Sequence, residues 1–345
     1  MAYLAITTLA LLTPIYAQIQ GPHITVNFPD PGLIHHDGTT YAFATNNRKS
    51  GSEHINVQIA SSPNNQTWTL KDLDALPHIA PWQNGNAVWA PDVKQLPDGT
   101  FLLLYTDSLK HAPQTHCVGA ALSRHITGPY HPLREPIICP HGGAIDPAGF
   151  YDESSGKRYI LYKIDGNSLG HGGSCGNDVL PIHSTPLMLQ EVDKHDGTSF
   201  IGAPMELLDR DALDGPLIEA PAMHRSDKGV YFLFYSANCF TTPLYHTAYA
   251  TALNITGPYT KASRPLFMTG DYGGLVGPGG MDVIGGELIA FHGIMDNHND
   301  PGRGLTDVRG FERGMYSGRV KLKGRIANVR GDDVQDEDRG FAREL

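Results

Sequence analysis

The sequence predicts an all-β protein, a single five-bladed β-propeller, and three observations carry that prediction. Five acidic residues, Asp30, Asp92, Asp146, Glu219 and Asp282, each stand at the head of a short apolar strand. Each is followed by a second apolar strand: TYAFAT, FLLLYTDS, RYILYKID, VYFLFYSA and ELIAFHG. The acids are 54 to 73 residues apart, and a strand unit recurring at that period is the signature of a repeat architecture. The pentapeptide ITGPY occurs at Ile126–Tyr130 and again at Ile255–Tyr259, each time after a strand and before a proline-bearing stretch. Finally, the chain is rich in turn residues (39 Gly, 25 Pro) and nearly devoid of helical periodicity. In a radial array the first strand of each unit lies beside the axis, so the acids converge on one face.

The elements follow in order. Residues 1–17, MAYLAITTLALLTPIYA, have a short apolar core and end on a small residue, and are read as a secretory signal peptide. Residues 18–327 form the propeller, with blades at about 26–80, 86–140, 143–212, 216–268 and 277–325. Clusters such as LPDGT, DESSGK and HRSDKG between strands supply hairpin turns. The stretch 165–186 is a longer insertion in the third blade, with a cysteine that could tie it down. GMYSGRVKLK alternates and is expected to close the ring, and residues 328–345 read as a charged surface tail.

Composition narrows the function. A net charge of −10 argues against nucleic acid and anionic membranes as partners and suits a neutral glycan. The four cysteines, in a secreted chain, suggest two disulfides with three connectivities open. Cys117 with Cys139, in one repeat, is the favoured pair, leaving Cys175 with Cys239. Asn65 and Asn254 head glycosylation sequons. No HxxxH, HExxH, GxSxG or phosphate-loop pattern appears.

Glycoside hydrolysis needs two carboxyl groups flanking the scissile bond. Asp30 lies between two prolines, Asp146 precedes one, and Glu219 sits in apolar LIEAPAM. Such surroundings hold a side chain rigid, and burial of Glu219 would raise its pKa, as suits a general acid. Asp92 and Asp282 are read as structural. Trp89 and Trp82 flank the second motif, and one of them is expected to stack on a sugar ring.

PDP near the N-terminus, VWAPDV, AIDP before an aromatic strand and EAP, in that order, resemble glycoside hydrolase family 43 from about Phe28 to Val320. The resemblance implies a five-bladed propeller that inverts anomeric configuration on arabinosides and xylosides. It implies Asp30 as general base, Asp146 as the carboxylate that orients and tunes the acid, and Glu219 as general acid. The AIDP form is similar to arabinan-active members, whereas xylosidases usually carry FDP. His292 resembles an axial histidine that helps hold a structural calcium or sodium ion, and the chemistry itself requires no cofactor. The expected protein is thus a secreted, monomeric α-L-arabinofuranosidase or arabinanase. Its rivals are a β-xylosidase or galactan-active enzyme on the same fold, and a noncatalytic sugar-binding propeller. A lectin-like relative would be expected to lose Asp30 or Glu219, and both are present.

Overall fold

The computed structural model describes residues 19–48, 54–295 and 312–329. The expected signal peptide lies outside these residues, as does the tail beyond Val329. Five antiparallel sheets form the blades of a propeller. Their first strands are Gly32–His36, Trp89–Gln95, Ala144–Asp152, Ile218–Arg225 and Gly279–Ile284. Each of these packs beside the first strands of the neighbouring blades, which places all five around the axis.

The expected closing segment is the third strand of blade five, Arg313–Lys323, and it does not close the ring alone. The N-terminal strand Ile19–Ile24 pairs antiparallel with it and supplies the outer strand. Both ends of the described chain thus meet in one sheet, so opening the ring requires breaking that ladder. Ile326–Val329 also pairs with Arg313–Lys323, which carries the propeller past the expected boundary at 327.

Second strands such as FLLLYT are apolar throughout because both faces of a blade are covered. Phe101, Leu103 and Tyr105 join a core with Phe43 and Val57 of blade one, whereas Leu102 and Leu104 join one with Ile160 and Tyr162 of blade three. Three further clusters fill the remaining gaps between neighbouring blades. Alternate residues of one strand therefore enter two different cores. The ITGPY echo is structural as well. Tyr130 Oη donates to the Ile126 carbonyl at 2.9 Å, and Tyr259 Oη to that of Ile255 at 3.0 Å, so one turn is built in blades two and four.

The repeat at the axis is not the acid. It is a left-handed backbone step at Asp30, Ala90, Asp146, Ala220 and Gly280, with φ of 56°, 43°, 55°, 51° and 58°. Proline follows in the first four blades, and Met281 in the fifth. In blades two to five the pairing register jumps at this step, which is a β-bulge. Against this frame the five acids occupy three different positions. Asp30 and Asp146 are on the step, Glu219 is one residue before it, and Asp92 and Asp282 are two after.

The step turns an N–H toward the preceding blade, where a side chain accepts it. Ala90 donates to Thr45 Oγ1 (2.9 Å), Asp146 to Thr106 Oγ1 (3.1 Å), Gly280 to Ser236 Oγ (2.9 Å) and Asp30 to His292 Nδ1 (3.1 Å). In blade three the matching position is Lys163, which cannot accept, and Ala220 donates instead to Asp146 Oδ2 at 2.9 Å. A Cβ on Gly280 would lie 2.6 Å from Asp30 Oδ1 and 2.7 Å from His292 Nδ1, so the junction of blades five and one needs glycine there.

Ser236 is fully buried, so Ser236→Ala strands the Gly280 N–H without a partner. Denaturant titration should show a loss of about 1–3 kcal/mol. An unchanged midpoint would mean that this ring of bonds contributes nothing to stability.

Candidate active site

A bulge presents two consecutive residues toward one side of its strand. Here it brings Trp89, Ile145, Asp146 and Glu219 to a cavity of about 620 Å³ at one end of the axis, together with Asp30. Such a volume fits a site for a small ligand or one or two sugar rings. Asp30, Asp146 and Glu219, from blades one, three and four, all line this cavity.

Their surroundings differ. Burial opposes ionisation of Asp30, but Arg313 at 3.8 Å and the Thr45 hydroxyl at 2.7 Å outweigh it and hold the carboxyl well below the usual range. Burial pushes Asp146 well up, and the charges of Glu219 and Asp30 push it further. Burial also raises Glu219, while Lys163 and the Tyr245 hydroxyl pull against it. Tyr245 Oη donates to Glu219 Oε1 at 2.8 Å, and Lys163 Nζ lies 3.4 Å from Oε2. The cavity therefore holds one carboxylate fixed as the anion and two carboxyls that retain protons to higher pH.

Trp89 lines the cavity and tilts against His116, ring centres 4.6 Å apart. Trp82 does not. It is buried in the core between blades one and two and stacks on Tyr105 at 6.3 Å. His292 is fully buried behind the wall, within the ring of N–H acceptors. Asp92 binds Lys94 Nζ and the Gly149 N–H, both at 2.6 Å, and Asp282 accepts the Leu33 N–H at 2.7 Å. Those two acids join neighbouring blades.

Several site residues carry no signal in the sequence. Arg313 opens the third strand of blade five and lies over Phe240 at 5.1 Å. Tyr245 comes from a loop of blade four, and Lys163 is the charged interruption in ILYKI. The insertion at 165–186 lines one side of the cavity with Asp165, Asn167, Ser168 and Gly172, and His116 binds Asp165 Oδ2 at 2.9 Å. Cys175 pairs with Cys239 and anchors the insertion to blade four, while Cys117 pairs with Cys139.

The sequence model of glycosyl hydrolases family 43 matches residues 19–306. An extracellular endo-alpha-(1->5)-L-arabinanase 2 of Bacillus subtilis is 23% identical over 282 residues, and an arabinanase 1 of the same organism is 24% identical over 293. These alignments cover 76% and 78% of this chain. The chain spans 56% of the length of the first relative and 81% of the second. The crystal structure of a thermostable family-43 glycoside hydrolase superposes with a TM-score of 0.70 at 23% identity, covering 89% of this chain and 93% of that one. An endo-1,4-beta-xylanase of Bacteroides thetaiotaomicron gives 0.67 at 21%, covering 90% and 96%. At these identities the solved structures establish the shared propeller fold.

The raised carboxyl of Asp146 has a thermodynamic consequence. The folded protein keeps this proton to a higher pH than the unfolded chain does. Stability is therefore lost as pH rises from the ordinary carboxylate range through the folded pKa. Asp146→Asn removes that penalty while its amide oxygen still accepts the Ala220 N–H. The variant should melt at higher temperature than the parent near neutral pH, with the gain disappearing below the ordinary carboxylate pKa of about 3.9. A difference in melting temperature that does not vary with pH would contradict a protonation origin for the gain.

Proposed function

The chain belongs to glycosyl hydrolases family 43, and from that premise we propose that it is a secreted enzyme that hydrolyses arabinose-containing plant polysaccharide with inversion at the anomeric carbon. The observation that carries the proposal is the one cavity in which Asp30 is held ionised while Asp146 and Glu219 are held toward the protonated form. Carboxyl groups driven apart in this way divide into a base and an acid.

In the proposed reaction Asp30 accepts a proton from water as the water oxygen bonds to the anomeric carbon. Glu219 releases its proton to the glycosidic oxygen as the bond from that oxygen to the anomeric carbon breaks. Asp146 orients this acid by accepting the Ala220 N–H, and the anion of Asp30 disfavours early loss of the acid's proton by like charge. Arg313, Thr45 and the Asp30 N–H bond to His292 keep the base fixed and ionised. Trp89 offers an aromatic face to a sugar ring. Every proton in the scheme moves between water, substrate and these carboxyls.

Arabinan is the favoured substrate because the curated relatives are named as endo-arabinanases, and an acidic chain suits a neutral glycan. A xylan-active enzyme is the second reading, favoured by the shared fold of the xylanase structure. Secretion accords with the two disulfides and with the word extracellular in the relatives' names. A cation beside His292 is not part of the proposal. Nδ1 accepts the Asp30 N–H, burial keeps the ring neutral, and its proton is thereby assigned to Nε2, which presents a donor rather than a lone pair. Among the described residues no group of three or more His, Cys, Asp or Glu is placed to hold a metal.

Arabinan, arabinoxylan, galactan and aryl glycosides, each incubated with the protein, should give products from arabinan first. NMR of the first-formed sugar should show inverted configuration; a retained product would overturn the mechanism. Asp30→Ala should abolish turnover on every substrate. Glu219→Ala should lose about 10²–10⁴-fold on polysaccharide and far less on aryl glycosides with good leaving groups, which need no proton.

A further inference from the structure

Lys163 is among the largest side chains with no exposed surface, and no step of the reaction above uses it. It stands in the second strand of blade three, opposite Ile145. The matching residues in the other blades are Thr45, Thr106, Ser236 and His292, each an acceptor for the N–H of the next blade. A threonine or serine at 163 would serve that purpose and spare the cost of burying an ammonium group. The lysine gives up the acceptor role, and Asp146 takes it over.

What the ammonium touches is the acid. Nζ donates to Asn167 Oδ1 at 2.5 Å, lies 3.8 Å from Asp165 Oδ1 and reaches Glu219 Oε2 at 3.4 Å. Asn167 is itself held by a bond from its amide to the Cys175 carbonyl at 3.2 Å, inside the insertion fastened to Cys239. Tyr245 holds the other oxygen of Glu219. The carboxyl is thus gripped at both oxygens, by a hydroxyl from blade four and a cation from blade three.

We propose that Lys163 is a positioning residue for the proton donor: it fixes Glu219 Oε2 and stabilises the carboxylate left when the proton passes to the leaving group. This rests on the reading of Glu219 as the acid. The lysine charge also opposes the upward pull of burial on Glu219, so the acid releases its proton more readily than burial alone would allow. Without that charge Glu219 binds its proton more tightly and donates it less readily.

The test compares Lys163→Met, the parent and Glu219→Gln, with kcat and KM measured against pH on arabinan and on an aryl arabinoside with a good leaving group. In Lys163→Met the basic limb of the profile should move up by about one pH unit, with kcat on arabinan falling roughly 10–100-fold, the aryl substrate losing less than about tenfold, and KM little changed. A basic limb at the parental pH, with equal losses on both substrates, would reduce Lys163 to a structural role. If Lys163→Met does not fold, Lys163→Gln keeps a polar group toward Asn167 without the charge, and the same displacement is required of it. Glu219→Gln separates the two ideas. Should it lose equally on both substrates, the assignment of the acid fails; should it spare the aryl substrate while the lysine variants leave the limb unmoved, only the role of Lys163 fails.

Discussion

The left-handed step at the head of each inner strand is the constraint on which the rest depends. It sets an N–H sideways toward the preceding blade, and burial obliges that N–H to find an acceptor. Five such bonds run round the axis, so each blade is located by its neighbour through a polar contact as well as through the apolar cores between them. The same step is a bulge, and it brings adjacent residues of one strand to the cavity. Structural closure and the siting of the carboxyls thus come from one backbone feature. The participation of Asp30 and Asp146 in the ring through their own N–H groups keeps both side chains in register with it.

The electrostatic pattern of the cavity grows from that ring. Where blade five supplies an imidazole acceptor, it holds the Asp30 N–H, and Arg313, 3.8 Å from the carboxylate, favours the anion. Where blade three supplies a lysine, the acceptor is lost, Asp146 is drawn across to blade four, and a positive charge faces Glu219. Arg313 beside Asp30 therefore sets the base apart, while burial holds Glu219 up against the opposing pull of Lys163. Burial alone would raise all three carboxyls, and the placement of cations and donors decides which one stays ionised.

The insertion in blade three adds a wall that the propeller itself does not provide. It is rich in glycine and has little regular structure beyond two short 3₁₀ turns, Gly166–Leu169 and Ser174–Gly176. Its hold on the body of the protein comes from the Cys175–Cys239 bond and from Asn177, whose amide donates to the carbonyls of His183 and Pro216. A disulfide limits the freedom of such a loop chiefly when the rest of the fold is loosened. Of the residues it offers to the cavity, Asp165 and Asn167 are the ones that reach His116 and Lys163.

The number of blades, the axial place of the first strand in each and the three carboxyls that meet in the cavity are all legible in the linear chain. Apolar runs, turn clusters and proline-flanked acids are local signals, and local signals survive in a linear reading. The pairing of Cys117 with Cys139 was also legible, since both fall in one repeat. The spacing of the acids was misleading in detail, because strand alternation without the bulge makes Asp92 and Asp282 look equivalent to Asp30 and Asp146. Folding alone settles that Trp89 faces the cavity while Trp82 packs in a core, that Ile19–Ile24 closes the ring, and that Lys163, Tyr245 and Arg313 surround the carboxyls. Those residues come from second or third strands and from loops with no motif of their own. Their roles arise from which blade lies next to which, and that adjacency exists only after the ring has closed.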